Sequence, residues 1–127
     1  MKPLKSIVVV ISCIIALHTE TKAQTSITPA EAAKYMGDSV KICDLIVEGK
    51  YLREAKDSPT RLYMGSHQPD PLLTIVINKD VLARMGYDPE KKLVNKKVCV
   101  VGRITTYKNR PAIILQNPAD INDMEEK

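Results

Sequence analysis

The stretch KKVCVVGRITTYKNRPAIIL, residues 96–115, decides the fold that this sequence predicts. Its first half alternates between two sets of side chains, as a β-strand does. One face carries Val98, Val100, Gly102 and Ile104, and the other carries Cys99, Val101 and Arg103. The stretch therefore predicts a strand that turns one apolar face toward a core.

A tight turn is predicted directly after this strand, at residues 107–110, Tyr-Lys-Asn-Arg. Asn109 is the residue of the turn that best tolerates a left-handed backbone in place of glycine. Pro111 then opens the return strand, where its missing N–H costs least. The whole stretch thus predicts a β-hairpin.

The rest of the chain supplies the other elements of a small barrel. The strands predicted before the hairpin are 39–52, 62–65 and 72–77. Short helices are predicted at 28–37 and 81–85, each ended by a glycine. Five strands with a helix between the third and the fourth is the order of the OB-fold, a Greek-key barrel. We therefore expect a mainly β chain with short helices that forms a five-stranded OB-fold barrel, with a five-stranded sandwich fragment as the alternative.

Residues 1–23 have the composition of a secretory signal peptide. Lys2 and Lys5 precede an apolar run at 7–17, and small residues predict cleavage after Ala23. The run of about 11 residues is shorter than the roughly 20 that a spanning helix needs, which disfavours a transmembrane anchor. Cleavage would leave one OB-fold domain at 24–121 and a polar, frayed tail at 122–127.

We therefore expect an exported protein, periplasmic or extracellular, with no transmembrane segment in the mature chain. Residues 10–13, Val-Ile-Ser-Cys, fit a lipidation motif loosely, so a lipid anchor at Cys13 stays open as an alternative. Loss of three lysines and one glutamate with the signal peptide would lower the net charge from +4 to +2. A basic surface must then come from local clustering of charges.

Cys43 and Cys99 are the two cysteines that remain after cleavage. They fall at matching places on the first and fourth predicted strands, which are neighbours in an OB-fold barrel. An oxidising compartment would let them form a disulfide worth about 4 kcal/mol. Two buried free thiols are the alternative, because cysteine also packs well in cores.

From Thr28 to Ile121 the chain resembles small exported bacterial OB-fold proteins of the nucleic-acid-binding kind, related to the OB domains of tRNA-binding proteins and helicases. The segments that carry the resemblance are AKYMG (33–37), VKIC (40–43), SPT (58–60), LYMG (62–65), VCVVGRI (98–104) and the hairpin at 107–113, which closes on Pro118. The resemblance implies an OB-fold and binding of single-stranded nucleic acid.

The chain departs from the family pattern at positions that matter for binding. The family has glycine where this chain has Asp44 and Asn109, and it has aromatic residues in the region 62–78, where this chain has only Tyr63. Stacked bases contribute about 1–3 kcal/mol each, so fewer aromatic residues mean fewer stacking platforms. Asp44 lies in mid-strand, and we expect it at a bulge or an open rim because a buried carboxylate needs partners.

Basic residues flank two loops that border one face of an OB-fold barrel. We expect them to form a basic rim around one exposed ring, that of Tyr63, suited to phosphates or another anionic polymer such as an acidic glycan. The candidate ligand-binding residues are Lys50, Arg53, Arg61, Tyr63, Tyr107, Lys108 and Arg110. Tyr107 either stacks on a ligand or packs across its own hairpin. Solvated loops without a ligand are the alternative for the charges.

The sequence offers no motif for catalysis, for a cofactor or for a metal ion. His67 is the only histidine after residue 23, and it has no Cys, His or carboxylate at ligand spacing. We therefore expect a non-enzymatic binding module whose partner is single-stranded nucleic acid or another anionic polymer. A protein-interaction or structural module of the bacterial cell envelope, with an envelope protein as partner, is the alternative.

Overall fold

The computed structural model describes residues 24–68 and 70–125, and this part of the chain is mainly β. The strands are β1 (Thr25–Ile27), β2 (Ser39–Tyr51), β3 (Thr60–Met64), β4 (Leu73–Ile77), β5 (Lys97–Tyr107), β6 (Arg110–Ile114) and β7 (Ile121–Asp123). The α-helices are α1 (Lys79–Met85) and α2 (Pro89–Lys92), and 3₁₀ helices span Pro29–Tyr35 and Pro118–Asp120. The signal peptide and Cys13 lie outside the described residues.

All seven strands belong to one sheet, with the order β1-β2-β3-β4-β6-β5-β7. Because β5 also pairs with β2, the pairings of β2 to β6 return to their starting strand. The β4–β6 pair is parallel, and α1 lies between β4 and β5 in the chain. The predicted helix position between the third and fourth long strands is therefore observed.

Two short strands, β1 and β7, were not predicted and raise the count from five to seven. Each has three residues, which is too short to show a period of two in the sequence. β1 pairs in parallel with β2, and β7 pairs with β5. Each adds one buried isoleucine to the core, Ile27 and Ile121. β7 therefore extends into the predicted frayed tail, where Asn122 and Asp123 pair with Cys99 and Val98.

The core is built from the inward faces of the long strands. The predicted apolar face of β5 is confirmed, because Val98, Val100 and Ile104 are at most 1% exposed. The other buried side chains of the sheet are Val40, Ile42, Ile46, Leu62, Met64, Leu73, Ile75, Ile77 and Ile113. Asp44 does not lie at a bulge: it is paired with Val98, its carboxylate accepts a hydrogen bond from the Leu45 N–H, and the register shift comes later in β2, between Ile46 and Glu48.

The turn between β5 and β6 contains two residues, Lys108 and Asn109. Their φ angles are +52° and +64°, so both adopt the left-handed conformation. Such turns match the twist of the flanking strands, which is why they dominate two-residue hairpins. The left-handed Asn109 was predicted, whereas the same conformation at Lys108 was not, because lysine has no intrinsic preference for it.

A disulfide joins Cys43 to Cys99 and confirms the predicted pairing. The two residues are direct neighbours in the β2–β5 register, and their Cα atoms are 4.0 Å apart. Both side chains are partly buried and lie on the face of the sheet opposite to the core residues Ile42 and Val98. The bond therefore ties together the two longest strands from outside the core.

The helices begin and end at residues that favour helix termini. α1 begins after Asn78 and ends at Gly86, whose φ of +79° is the left-handed conformation that glycine adopts without strain. The N-terminal 3₁₀ helix starts with the predicted capping pattern, in which the Thr28 N–H donates to the Glu31 carboxylate at 2.9 Å. The hydrogen bonds from the Thr28 backbone and side chain hold the pKa of Glu31 below its ordinary value.

Within the described part of the chain, no helix is both long and apolar enough to cross a bilayer.

Candidate functional site

A small cleft opens between β3, the loop that follows it, and the turn of the β5–β6 hairpin. It is lined by Arg61, Tyr63, Gln68, Pro71, Thr74, Tyr107, Lys108 and Arg110. Its volume is about 90 Å³. Five of the seven predicted ligand-binding residues therefore meet in one place, although the sequence separates them by up to 49 positions, from Arg61 to Arg110.

Tyr63 forms the floor of the cleft. It alternates with the core residues Leu62 and Met64, so its ring leaves β3 on the outer side of the sheet. The ring is nevertheless only 2% exposed, and the Gln68 amide donates a hydrogen bond to its hydroxyl. The prediction of an exposed ring at Tyr63 is therefore wrong, because the loop after β3 folds back over it.

The environment of Tyr63 keeps its phenol neutral. Burial raises the pKa of Tyr63 above the ordinary value, while the positive charge of Arg61 acts in the opposite direction. A neutral hydroxyl that already accepts from Gln68 still has one proton to donate. Tyr63 can therefore contribute a hydrogen bond to the cleft but not an open face for stacking.

Tyr107 lies between two cations at the rim of the cleft. The Arg61 guanidinium carbon is 5.4 Å from the centre of the Tyr107 ring, and the Lys108 Nζ is 5.9 Å from it. Both distances fall in the range of cation–π attraction. Tyr107 also stands opposite Arg110 in the hairpin register. The Tyr107 ring therefore packs against neighbouring cations of the protein. This arrangement is closer to the predicted alternative, in which Tyr107 packs within its own hairpin.

Arg61 is the cation at the centre of the cleft. It is partly buried on β3, opposite Lys50 on β2 and Val76 on β4. Its Nε lies buried without a hydrogen-bond partner among the described residues. A buried N–H donor without an acceptor costs about 1–3 kcal/mol. The Arg61 guanidinium thus lies over the Tyr107 ring, and its buried Nε has no acceptor among the described residues.

The remaining charges form a partly neutralised border. Arg110 makes an ion pair with Asp70 from the loop after β3, and the side chains are 42% and 74% exposed. On the other side, Lys50 Nζ is 3.4 Å from the Gln68 side-chain oxygen. Glu48 lies 3.3 Å from the His67 Nδ1. The cations Lys50, Arg61, Lys108 and Arg110 outnumber the carboxylates Glu48 and Asp70, so the cleft is positive.

The two other predicted ligand-binding residues, Lys50 and Arg53, do not line the cleft. Lys50 is adjacent to the cleft through Gln68, whereas Arg53 lies in the loop between β2 and β3 and lines a neighbouring hollow that shares Arg61 with the cleft. Sequence analysis missed Gln68, Pro71 and Thr74. Thr74 had a weak signal, as the only polar residue in the apolar run 72–77. Gln68 and Pro71 had none, because their role depends on how the loop folds back on Tyr63.

The arrangement is suited to binding an anion. In the ranges 24–68 and 70–125, no group of three or more His, Cys, Asp or Glu residues could hold a metal ion. What the cleft does offer is the guanidinium, ammonium and hydroxyl donors described above. Guanidinium groups bind phosphate and carboxylate through paired N–H donors, and a lysine adds a point charge.

Comparisons with known proteins identify the fold. No protein-family model matches the chain. No curated protein matches it in sequence. A solved structure described as an aspartyl-tRNA synthetase from Leishmania major Friedlin is similar to it, with a TM-score of 0.54 and 13% identity over 87% of this chain and 22% of that chain. At this identity the similarity shows the fold alone, an OB-fold-like domain.

Two further solved structures are similar at lower scores. An asparaginyl-tRNA synthetase from Pyrococcus horikoshii has a TM-score of 0.47 and 11% identity over 80% of this chain and 23% of that chain. The Stn1–Ten1 complex of S. pombe has a TM-score of 0.42 and 11% identity over 83% of this chain and 80% of that chain. This chain spans less than a quarter of the length of either synthetase.

Proposed function

We propose that the protein is a non-enzymatic OB-fold module that binds an anionic polymer, with single-stranded nucleic acid as the first candidate, through the cleft beside Arg61. The observation that carries the proposal is the convergence of Arg61, Lys108 and Arg110 with two tyrosines in one positive cleft. We further propose that the five long strands β2 to β6 are the Greek-key barrel of this OB-fold, because their pairings form a complete circuit.

The position of the cleft in the fold supports this proposal. It lies where a strand of the circuit meets the hairpin loop, and OB-folds bind oligonucleotides on the corresponding strands and loops. The synthetase from Leishmania major, with which the chain shares its fold, is named for tRNA, itself a polyanion. Both points favour nucleic acid among anionic polymers.

Binding of a labelled single-stranded oligonucleotide, measured by fluorescence anisotropy on residues 24–127, tests the proposal. We expect binding at low salt that weakens steeply as salt is raised, because phosphate contacts release counterions. Lys108→Ala/Arg110→Ala should weaken binding by at least tenfold at low salt. It should also reduce the slope of log K against log[salt] by about 1.4, since each phosphate contact to a single strand contributes about 0.7.

Lys91→Ala/Lys97→Ala is the matched control. It removes the same charge, both lysines are exposed, and Lys91 has an ion pair with Asp88 as Arg110 has with Asp70. Both residues lie away from the cleft, on α2 and at the start of β5. Equal losses in the two double variants would indicate diffuse attraction and contradict the assignment of the cleft. Absence of binding even at low salt would remove nucleic acid as a ligand and favour a protein-interaction module.

We also propose that the protein is exported after removal of residues 1–23. The Cys43–Cys99 disulfide supports export, since such bonds persist in oxidising compartments. We expect protein isolated from its own host to begin at Gln24 and to contain no free thiol. Intact-mass measurement with and without reduction and alkylation checks both points. Protein that retains residues 1–23, or that carries a lipid on Cys13, would contradict this cleavage.

A further inference from the structure

The cleft is shaped for a small anionic group and not for a nucleobase. Its volume is only about 90 Å³, and the Tyr63 side chain that lines it is buried. Proteins that bind single strands by stacking present open aromatic faces instead. Tyr63 has no open face because it is 2% exposed, and the Tyr107 ring is already contacted by Arg61 and Lys108. Tyr63 is therefore not a stacking platform, and a base that stacks on Tyr107 competes with the two cations that contact this ring.

The charged residues that line the cleft, Arg61, Lys108 and Arg110, are all donors. Arg61 has a buried Nε without an acceptor, and no described residue forms an ion pair with Lys108. Such a set satisfies itself by binding an oxygen-rich anion, and guanidinium–phosphate pairs provide two parallel N–H···O bonds. An uncharged base edge would leave these positive charges without a counter-charge. The chemistry therefore points to the phosphate of a polymer and not to its bases.

The protein already places an anionic oxygen at this position. Asp70, on the loop after β3, makes an ion pair with Arg110 across the mouth of the cleft. Ser66 donates a hydrogen bond to the Asp70 carbonyl at 2.7 Å, which holds this part of the loop. A ligand phosphate that binds the same Arg110 nitrogen displaces the Asp70 carboxylate. Asp70 is thus an internal competitor for the anion.

We infer that the cleft recognises the phosphate groups of a phosphate-linked chain, independently of its bases, and that Asp70 competes with those phosphates for Arg110. This inference rests on the proposed function and makes it more specific, because it assigns the ligand class. The two sources of such a chain are the backbone of a single-stranded nucleic acid and inorganic polyphosphate. The cleft treats them alike apart from their charge density.

The decisive comparison uses two labelled oligonucleotides of about 12 residues, a length within the range that one OB-fold covers. One is oligo-dT, and the other has the same number of phosphates on abasic sugars. We expect their dissociation constants to agree within about threefold. One stacked base contributes about 5- to 150-fold in affinity, so abasic binding weaker by more than about fivefold would overturn the inference while leaving the proposed function intact.

Binding of inorganic polyphosphate shows whether the cleft recognises phosphate groups without any nucleic acid. We expect it to displace the oligonucleotide from the wild type and to lose at least tenfold in affinity with Arg61→Gln, while Lys91→Ala/Lys97→Ala binds as the wild type does. If polyphosphate binds in this way and neither oligonucleotide does, the phosphate inference stands and nucleic acid is excluded as the ligand. If none of the three binds at low salt, both the inference and the proposed function are contradicted.

Asp70→Asn tests the competition by a gain of affinity, which a folding defect cannot imitate. Exposed ion pairs are worth about 0.2–1 kcal/mol, so we expect binding of the abasic oligonucleotide to tighten by about 1.4- to fivefold. Asp88→Asn is the matched control, because it removes an exposed carboxylate paired with Lys91 outside the cleft. Equal gains in both variants, or no gain with Asp70→Asn, would contradict the role of Asp70.

Discussion

Removing the Cys43–Cys99 disulfide should lower the free energy of unfolding of the oxidised domain by about 4 kcal/mol. The bond closes a loop of 56 residues, and the chain-entropy relation gives about this value for a loop of that length. Small domains are stable by only about 5–15 kcal/mol, so the loss is a large part of the total. Denaturant titration of residues 24–127 with Cys43→Ala/Cys99→Ala, compared with the wild type, measures it.

The reduced wild type provides the control for this experiment. If the bond acts through chain entropy, the reduced wild type and the double variant should unfold at similar denaturant concentrations. A difference of less than about 1 kcal/mol between oxidised wild type and double variant would show that the bond adds little. We also expect the folded double variant to bind as the wild type does, because Cys99 lies near the start of β5 and the cleft lies at its end, beyond Tyr107.

The long elements could be predicted from the sequence because each carries a local signal. Strand β5 has a strict period of two, and α1 has an asparagine before it and a glycine after it. The disulfide could be predicted because a single cysteine pair remains once residues 1–23 are set aside, and both members fall on the same phase of their strands. In contrast, β1 and β7 obtain their hydrogen bonds from distant strands, so nothing in their own three residues indicates them.

The candidate site could be predicted only in part from the sequence. Charge and turn chemistry placed Arg61, Lys108 and Arg110 on one rim, and the structure brings them together. The accessibility of Tyr63 could not be predicted, because it depends on the loop after β3, whose described residues are held by hydrogen bonds of Ser66 and Gln68 and by the Asp70–Arg110 ion pair across 40 positions. A strand position tells which face a ring occupies, but not whether a loop covers that face.

Gly102 lies on the β5–β6 hairpin, which contributes three of the eight residues that line the cleft. A Cβ atom at this glycine would lie 2.6 Å from the Ile113 Cγ2, which belongs to a fully buried side chain. Such a contact is shorter than van der Waals distance, so a methyl group here overpacks the core. We expect Gly102→Ala to lower the free energy of unfolding by about 1–3 kcal/mol. Ile113→Ala should cost about 2–5 kcal/mol, because it leaves a cavity.

The double variant Gly102→Ala/Ile113→Ala should cost less than the sum of the two single variants. The added methyl group occupies part of the space that the isoleucine leaves, so the coupling energy should be about 0.5–3 kcal/mol in the stabilising direction. Denaturant unfolding of all four proteins measures this cycle. Strict additivity would mean that β5 moves away from β6 in Gly102→Ala and relieves the contact. That movement would also displace Tyr107 and Lys108, so oligonucleotide affinity would then fall with Gly102→Ala alone, whereas a coupled cycle with unchanged affinity locates the strain in the core.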